Sequence, residues 1–372
     1  MGKVSEQNET LREVLGAYGL DGDAVQLEPI TVGHINSSYA VSAPDQSGGL
    51  KRYVLQGISP VAFPRPEELM ANFSGITGHL RKKILLQGGD PARESLGLEK
   101  TRAGQDFYRD GTGRLWRMTP FVEGSVCLNE ATPERFEEAG RAFGRFQWLL
   151  SDFPAETLYE TIPDFHQTET RLNRFKEALA ADVRGRAAGV EEERDFILAR
   201  EADCSVALNA YREGRLPLRV THNDTKLNNV LFDEKSGRGL CIIDLDTTMP
   251  GLSLYDFGDA IRYGANHCRE DEKDLSKVNL DLDLFECYTR GFLEGTRGAL
   301  TEEERNFLPW GAKLMTLECG IRFLTDYLEG DVYFRISYPE QNLDRCRTQF
   351  KLVRDMEAHH QTMQAIVRKY SR

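Results

Sequence analysis

The chain has 372 residues, 40% of them hydrophobic and 28% charged, with a formal net charge of −12. That apolar content supplies a well-filled core, and the length suits two domains or one large bilobal unit. The acid excess argues against a nucleic-acid partner and an electrostatic membrane anchor, and no apolar run approaches a membrane span. Seven scattered cysteines without a CxxC pair, and an N-terminus without an apolar segment behind basic residues, fit a cytoplasmic protein with reduced, mostly buried thiols.

In chain order, residues 7–19 read as a leading helix. From 25 to 57, VQLEPI, INSSYAVSA and RYVLQGI read as strands separated by turn-formers, notably Pro44 to Gly49. Pro66-Glu67-Glu68 opens a helix over 65–84. DFYRD and RLWRMTPFV read as a hairpin joined by Gly111-Thr112-Gly113. After about Glu123 the pattern changes. Phe136, Ala139, Phe143, Phe146 and Leu150 recur at spacings of three and four, giving a helix with one buried face. Helical patterns continue at 167–183, 191–213 and from 282 onward, around a β-rich island at 218–245. The expected fold is α+β: a bilobal, protein-kinase-like arrangement with a small antiparallel β-rich N-lobe over 1–123 and a larger, mostly helical C-lobe over 124–372. The hinge falls near 119–124.

The island carries the chemistry. Phosphoryl transfer needs a group that orients and deprotonates the acceptor hydroxyl, and ligands for the metal on the nucleotide phosphates. The kinase catalytic-loop spacing of Asp, Lys at +2 and Asn at +5 is met by Asp224, Lys226 and Asn229. Asp244 ends the apolar run that follows. Asp224 is the candidate base, and Lys226 places a compact charge near the transferring group. Asn229 and Asp244 offer hard oxygen ligands suited to Mg2+. His222 reads as a residue that holds the loop. Asp246, read on a strand, shares a face with Asp244, so it either helps the metal directly or through water, or is a strand-end carboxylate.

The literal triplet DFG at 256–258 reads as a decoy. Asp256 lies beyond Pro250-Gly251 and opens a helix, where it would cap amides, and Asp259 would brace the loop from behind. In the first hairpin turn, Gly33 would cover phosphates, and His34 and Asn36 are candidate contacts to phosphate or acceptor. Gln56 occupies the strand position where kinases carry a phosphate-pairing lysine, which argues against an ordinary protein kinase. Met118 and Phe121, in the hinge, would offer backbone groups to adenine.

THNDTKLNNVLF followed by CIIDLDTTMPG resembles the aminoglycoside phosphotransferase and choline kinase superfamily. With GHINSSY and MTLECGIRFLTDYLEGDVYFRISYPEQN, the chain looks like the bacterial N-acetylhexosamine 1-kinases along most of its length. That resemblance implies ATP- and Mg2+-dependent phosphorylation of the anomeric hydroxyl of GlcNAc or GalNAc. Asp224 would be the base, Asn229 and Asp244 the metal ligands, and Arg322 and Tyr333 would line the sugar site. Without it, Arg322 reads as an i,i+4 salt bridge to Asp326 and Tyr333 as a core aromatic. One site in one chain requires no partner, so a monomer is expected. Two alternatives stay open: another small-molecule kinase (aminoglycoside, choline, homoserine or methylthioribose), and a non-catalytic nucleotide-binding scaffold. A cationic acceptor would need carboxylates such as Glu270-Asp271-Glu272, which otherwise read as a solvated face.

Overall fold

A computed structural model describes residues 2–20, 24–31, 35–44 and 48–371. Gly33 and His34 of the first hairpin turn, and positions 45–47 of the turn that follows the INSSYAVSA segment, lie outside the described residues. The chain forms two compact units, the first made of residues 1–125, 157–162 and 240–247 and the second of the rest.

The first unit opens with α1 (Gly2–Ala17), β1 (Gln26–Ile30), β2 (Ser37–Pro44) and β3 (Leu50–Gly57), as the alternating patterns predict. α2 (Pro66–Leu86), α3 (Pro91–Glu94), β4 (Tyr108–Arg109) and β5 (Leu115–Pro120) follow. The strands form one antiparallel sheet in the order β1-β2-β3-β5-β4. Side chains of a strand alternate between faces. Tyr39, Val41, Tyr53, Leu55 and Met118 therefore pack on Leu11, Val14 and Leu15 of α1. The opposite face carries a cross-strand row, because Ser38 stands opposite Gln56 and Gln56 opposite Arg117. α2 starts with Pro66 at its first position and Glu67 and Glu68 in its first turn, where acids favour the helix dipole. It buries Leu69, Met70, Phe73, Ile76, Leu80 and Ile84.

β6 (Ser125–Cys127) leads toward the second unit. There α4 (Pro133–Leu149) begins where the Thr132 side chain accepts from the Arg135 amide. α5 (Thr168–Ala181), α6 (Glu191–Leu198) and α7 (Val206–Arg212) come next. The single helical pattern expected over 191–213 is broken by a tighter turn at Glu201–Ser205. The island supplies β7 (Arg219–Thr221), β8 (Val230–Asp233), β9 (Gly239–Ile242), whose residues from Leu240 on count with the first unit, and β10 (Met249–Gly251), with β10 antiparallel to β7. α8 (Ser253–Gly264), α9 (Leu282–Thr296), α10 (Glu302–Glu329), α11 (Gln341–Ala358) and α12 (His360–Tyr370) complete the chain.

α4 and α9 meet backbone to backbone through Gly140, Gly144, Gly291 and Gly295. A Cβ at Gly291 would lie 2.0 Å from the Glu137 carbonyl oxygen, and one at Gly144 would lie 2.2 Å from that of Phe292. In an exposed helix Gly→Ala stabilises by about 1 kcal/mol. Here the sign should reverse: Gly291→Ala is expected to destabilise by roughly 1–3 kcal/mol as the helices are forced apart. Urea unfolding reads this directly, and an unchanged or raised midpoint would show that the helices yield freely.

Two sequence expectations change. All seven cysteines are free, but only Cys204, Cys241 and Cys346 are buried, while Cys127 is exposed. The acidic run is half-buried rather than a solvated face. Glu270 pairs with Arg262 at 3.0 Å, and Asp271 accepts from Gln341 at 2.8 Å.

Candidate active site

In the second unit the candidate catalytic loop leaves β7 through a left-handed residue, Asn223, at φ 65°. Asn tolerates this region better than most residues. The turn aims two successive amides at one carboxylate: His222 N–H donates to Asp256 Oδ2 at 3.0 Å and Asn223 N–H to Oδ1 at 2.8 Å. Gln147 Nε2 donates to Oδ2 at 2.9 Å, and Thr225 Oγ1 to the Asp256 carbonyl at 2.6 Å. Thr225 N–H donates to Asp259 Oδ2 at 2.9 Å, and Arg262 Nε to Oδ1 at 3.0 Å. Asp256 is completely buried. It does stand in the first turn of α8, but its carboxylate holds the loop instead of capping α8's own amides, which corrects the expected role. Asp259 braces the loop from behind, as its position suggests.

His222 is also fully buried. Its Nδ1 accepts the Asp224 amide at 3.2 Å, and its ring lies edge-on to Phe143 and Phe146. The loop is therefore fixed on three sides while the Asp224 side chain stays 23% exposed. Lys226 Nζ lies 2.7 Å from Asp224 Oδ1. Burial works to lower the Lys226 pKa, but the Asp224 charge and hydrogen bond override it and hold the ammonium above its ordinary value. Asn229 Nδ2 donates to the Asp224 carbonyl at 2.7 Å and to Oδ2 at 3.2 Å. Asp224, Lys226 and Asn229 are thus brought together.

The same unit holds Arg322 and Tyr333. Asp326 is not Arg322's partner, because its carboxylate accepts the amides of Val332, Tyr333 and Phe334 and the Asn342 side chain. Arg322 instead lies among three rings, with its guanidinium carbon 5.5 Å from the Phe165 and Phe334 centroids and 5.9 Å from that of Tyr333. Tyr333 is 66% exposed, so it is a surface aromatic and not a core one. Arg171 stands close enough that burial and the Arg322 charge hold its pKa below the usual value. Its Nε is buried without a hydrogen-bond partner.

His166 joins this region to the loop, with Nδ1 2.8 Å from Glu318 Oε1 and Nε2 3.2 Å from the Asn223 carbonyl. Thr168 Oγ1 donates to the other Glu318 oxygen at 2.7 Å. Nothing in the sequence marks Arg171, His166 or Glu318, because a lone histidine, an arginine and a glutamate on helices carry no spacing signal.

Glu318 and Asp259 give a pH prediction. Burial pushes both carboxyls up, but His166 beside Glu318 and Arg262 beside Asp259 more than reverse this, leaving both below their ordinary values. A depressed native pKa contributes stability that is present above the unfolded value and is lost as pH falls through the native one. Stability should therefore fall as the solution is acidified below about pH 4. Asp259→Asn should show a shallower loss over that window in urea unfolding at several pH values. Parallel curves would mean that Asp259 does not titrate with folding.

In the first unit, Asp244 lies two residues past the end of β9, exposed, at φ 60°. The residues after it form a tight turn, Leu245–Thr247, rather than further strand. Asp246 therefore does not alternate onto the face of Asp244, and it is buried at 3% exposure. Arg117 Nη1 meets its Oδ1 at 2.5 Å, Asn36 Nδ2 donates to its Oδ2 at 2.5 Å, and Thr161 Oγ1 donates to its carbonyl at 3.1 Å. Both carboxylate oxygens are occupied by protein, which favours the structural of the two readings. Asn36 also accepts the Ser59 amide at 2.9 Å, so its side chain bridges protein groups.

Gln56 Oε1 accepts from Arg117 Nε at 3.1 Å and Nη2 at 2.8 Å, while Gln56 Nε2 donates to Ser38. Met118 is buried in the sheet core, and its carbonyl accepts the Glu99 amide at 2.8 Å. The Phe121 amide donates to the Arg52 carbonyl at 3.0 Å, and its ring lies under the Arg52 guanidinium. These backbone groups of Met118 and Phe121 are already engaged within the unit.

The fold recurs in solved kinases. The chain is similar to an aminoglycoside phosphotransferase from Alicyclobacillus acidocaldarius (TM-score 0.60, 14% identity, 96% of each chain covered). It is also similar to an amicoumacin kinase solved with AMP-PNP, Ca2+ and Ami (TM-score 0.61, 14% identity, 94% of this chain and 96% of that one). A third likeness is to a choline kinase from Cryptosporidium parvum (TM-score 0.56, 12% identity, 100% and 99% covered). These likenesses show a kinase-like fold, with an antiparallel sheet in the N-terminal part and helices in the C-terminal part. The sequence pattern of the phosphotransferase enzyme family matches residues 26–282, most of the chain and all of the loop just described, and the protein belongs to that family.

Proposed function

We propose that this phosphotransferase moves the γ-phosphate of ATP onto the anomeric hydroxyl of an N-acetylhexosamine, GlcNAc or GalNAc, giving the sugar 1-phosphate. The observation that carries the phosphotransfer is the loop on which Asp224 stands part-exposed beside Lys226 and Asn229 while buried Asp256 and Asp259 fix its backbone. Asp224 accepts the proton of the attacking hydroxyl, and Lys226 offsets charge on the transferring group. Asn229 and Asp244, each by its place in the sequence pattern, would offer an amide and a carboxylate oxygen to magnesium, which keeps waters and takes further ligands from nucleotide phosphates. The solved amicoumacin kinase, held with AMP-PNP and Ca2+, supports a nucleotide and a divalent metal here.

For the acceptor, Arg322 and Arg171 make no ion pair among the described residues, which disfavours a cationic acceptor such as choline or an aminoglycoside. Guanidinium donors and aromatic faces suit a neutral sugar ring with vicinal hydroxyls. The test is ADP release with GlcNAc, GalNAc, glucose, choline and an aminoglycoside, followed by mild acid treatment of the product. The expected product loses phosphate in mild acid, as an anomeric phosphate does. An acid-stable sugar phosphate, or ADP release only with a cationic acceptor, would sink the proposal.

A further inference from the structure

Kinases place a lysine at the end of the third strand and pair it with a glutamate on the neighbouring helix. Gln56 stands at that position here, so the chain needs another device. On β5, the strand paired with β3, Arg117 stands opposite Gln56 and is 1% exposed, among the largest fully buried side chains described. Every side of its guanidinium is used. Nε and Nη2 donate to Gln56 Oε1, Nη1 meets Asp246 Oδ1 at 2.5 Å, and the carbon lies 4.4 Å from the Phe73 ring centroid. The Nη1–Oδ1 contact is an ion pair without hydrogen-bond alignment, so charge holds it. The directional bonds come from Gln56 on one side and Asn36 on the other. So enclosed, Arg117 is not placed to grip a phosphate.

What it grips is the turn that follows Asp244. Asp244 sits at φ 60°, a left-handed conformation that Asp adopts more readily than most residues but that still costs energy its neighbours must offset. Asp246 anchors that turn through both carboxylate oxygens and its carbonyl. A buried ion pair is a poor source of stability compared with apolar packing, and its best-attested use is to select one conformation. We propose that Arg117 and Asp246 are a positioning pair. Oriented by Gln56, they set the backbone that presents the Asp244 carboxylate, and so tune metal affinity without touching metal or nucleotide. In this chain the pair takes over the ordering task of the missing lysine–glutamate bridge. The inference rests on the reading of Asp244 as a magnesium ligand.

The test uses the full chain and measures ADP binding by calorimetry with and without Mg2+, beside a thermal melt. Asp244→Ala comes first and should abolish the gain in ADP affinity that Mg2+ confers. If it does not, the ligand reading falls and the positioning pair with it. Arg117→Met combined with Asp246→Asn removes both charges together, so no buried charge is left alone. It should fold, bind metal-free ADP as the wild type does, and lose roughly tenfold or more in Mg2+ affinity, the usual cost of removing a ligand's supporting partner. Arg117→Lys, which keeps the charge, should recover part of the loss. Unchanged Mg2+ affinity in the double variant, with Asp244→Ala still deficient, would overturn the positioning role alone. Should the double variant fail to fold, Gln56→Leu decides. It leaves both charges in place and should weaken Mg2+ affinity in the same direction by a smaller factor, with metal-free ADP binding intact. No change there would equally overturn the proposal.

Discussion

Asp224→Asn is expected to lower turnover by about 10²–10⁴ while nucleotide binding persists, the range for loss of a general base. The substitution is nearly isosteric and keeps an oxygen for Asn229 Nδ2, which donates to Asp224 Oδ2 at 3.2 Å. The loop is anchored through its backbone by Asp256 and Asp259, so it should stay in place. What disappears is the acceptor for the hydroxyl proton and the charge that holds Lys226 at 2.7 Å. Steady-state kinetics beside ADP binding separates the two effects. Near-normal turnover would move the base elsewhere and leave Asp224 as a mere partner of Lys226.

Asp256→Ala should cost roughly 3–5 kcal/mol of stability, the sum expected when several buried donors lose their acceptor at about 1–3 kcal/mol each. The buried carboxylate accepts two loop amides and the Gln147 side chain. An alanine leaves those donors buried and unpaired, and each such group costs about 1–3 kcal/mol. This also separates two meanings of the letters DFG. A metal ligand at that position would, on removal, raise the Mg2+ requirement while leaving the melt nearly intact. A loop anchor should lower the melting temperature and turnover together. Denaturant unfolding and a Mg2+ titration on the same variant give the answer. A stable variant with only a raised Mg2+ requirement would restore DFG to the metal.

The catalytic string was readable because its spacing is local. Asp224, Lys226 and Asn229 lie within six residues, and the backbone of one short loop brings them together whatever surrounds it. The sheet was readable for a similar reason, since period-two alternation in β2 and β3 survives in the sequence. That Asp256 opens a helix was also legible from local context, the Pro250-Gly251 break before it. Its actual task was not, because its partners His222 and Asn223 are 34 and 33 residues away. For Asp246 the pattern leaves two readings open, and the strand it extends through 245–247 gives way to a tight turn in the structure.

By itself, then, the sequence determined that this is a two-part kinase-like chain whose loop at 222–229 carries a phosphotransfer pattern, and that Gln56 breaks the usual lysine rule. The pattern is written in spacings of a few residues, which backbone geometry enforces locally. Only the tertiary structure decided what Gln56 bonds and which carboxylates hold the loop and the turn after Asp244. Arg117 is one apolar-flanked arginine on a strand, 61 positions from Gln56, and Asn36 lies 210 positions from the Asp246 it bonds. Such pairings carry no periodicity. They exist because a buried charge must find a partner, and the partner is chosen by how the sheet registers and where the chain returns to it.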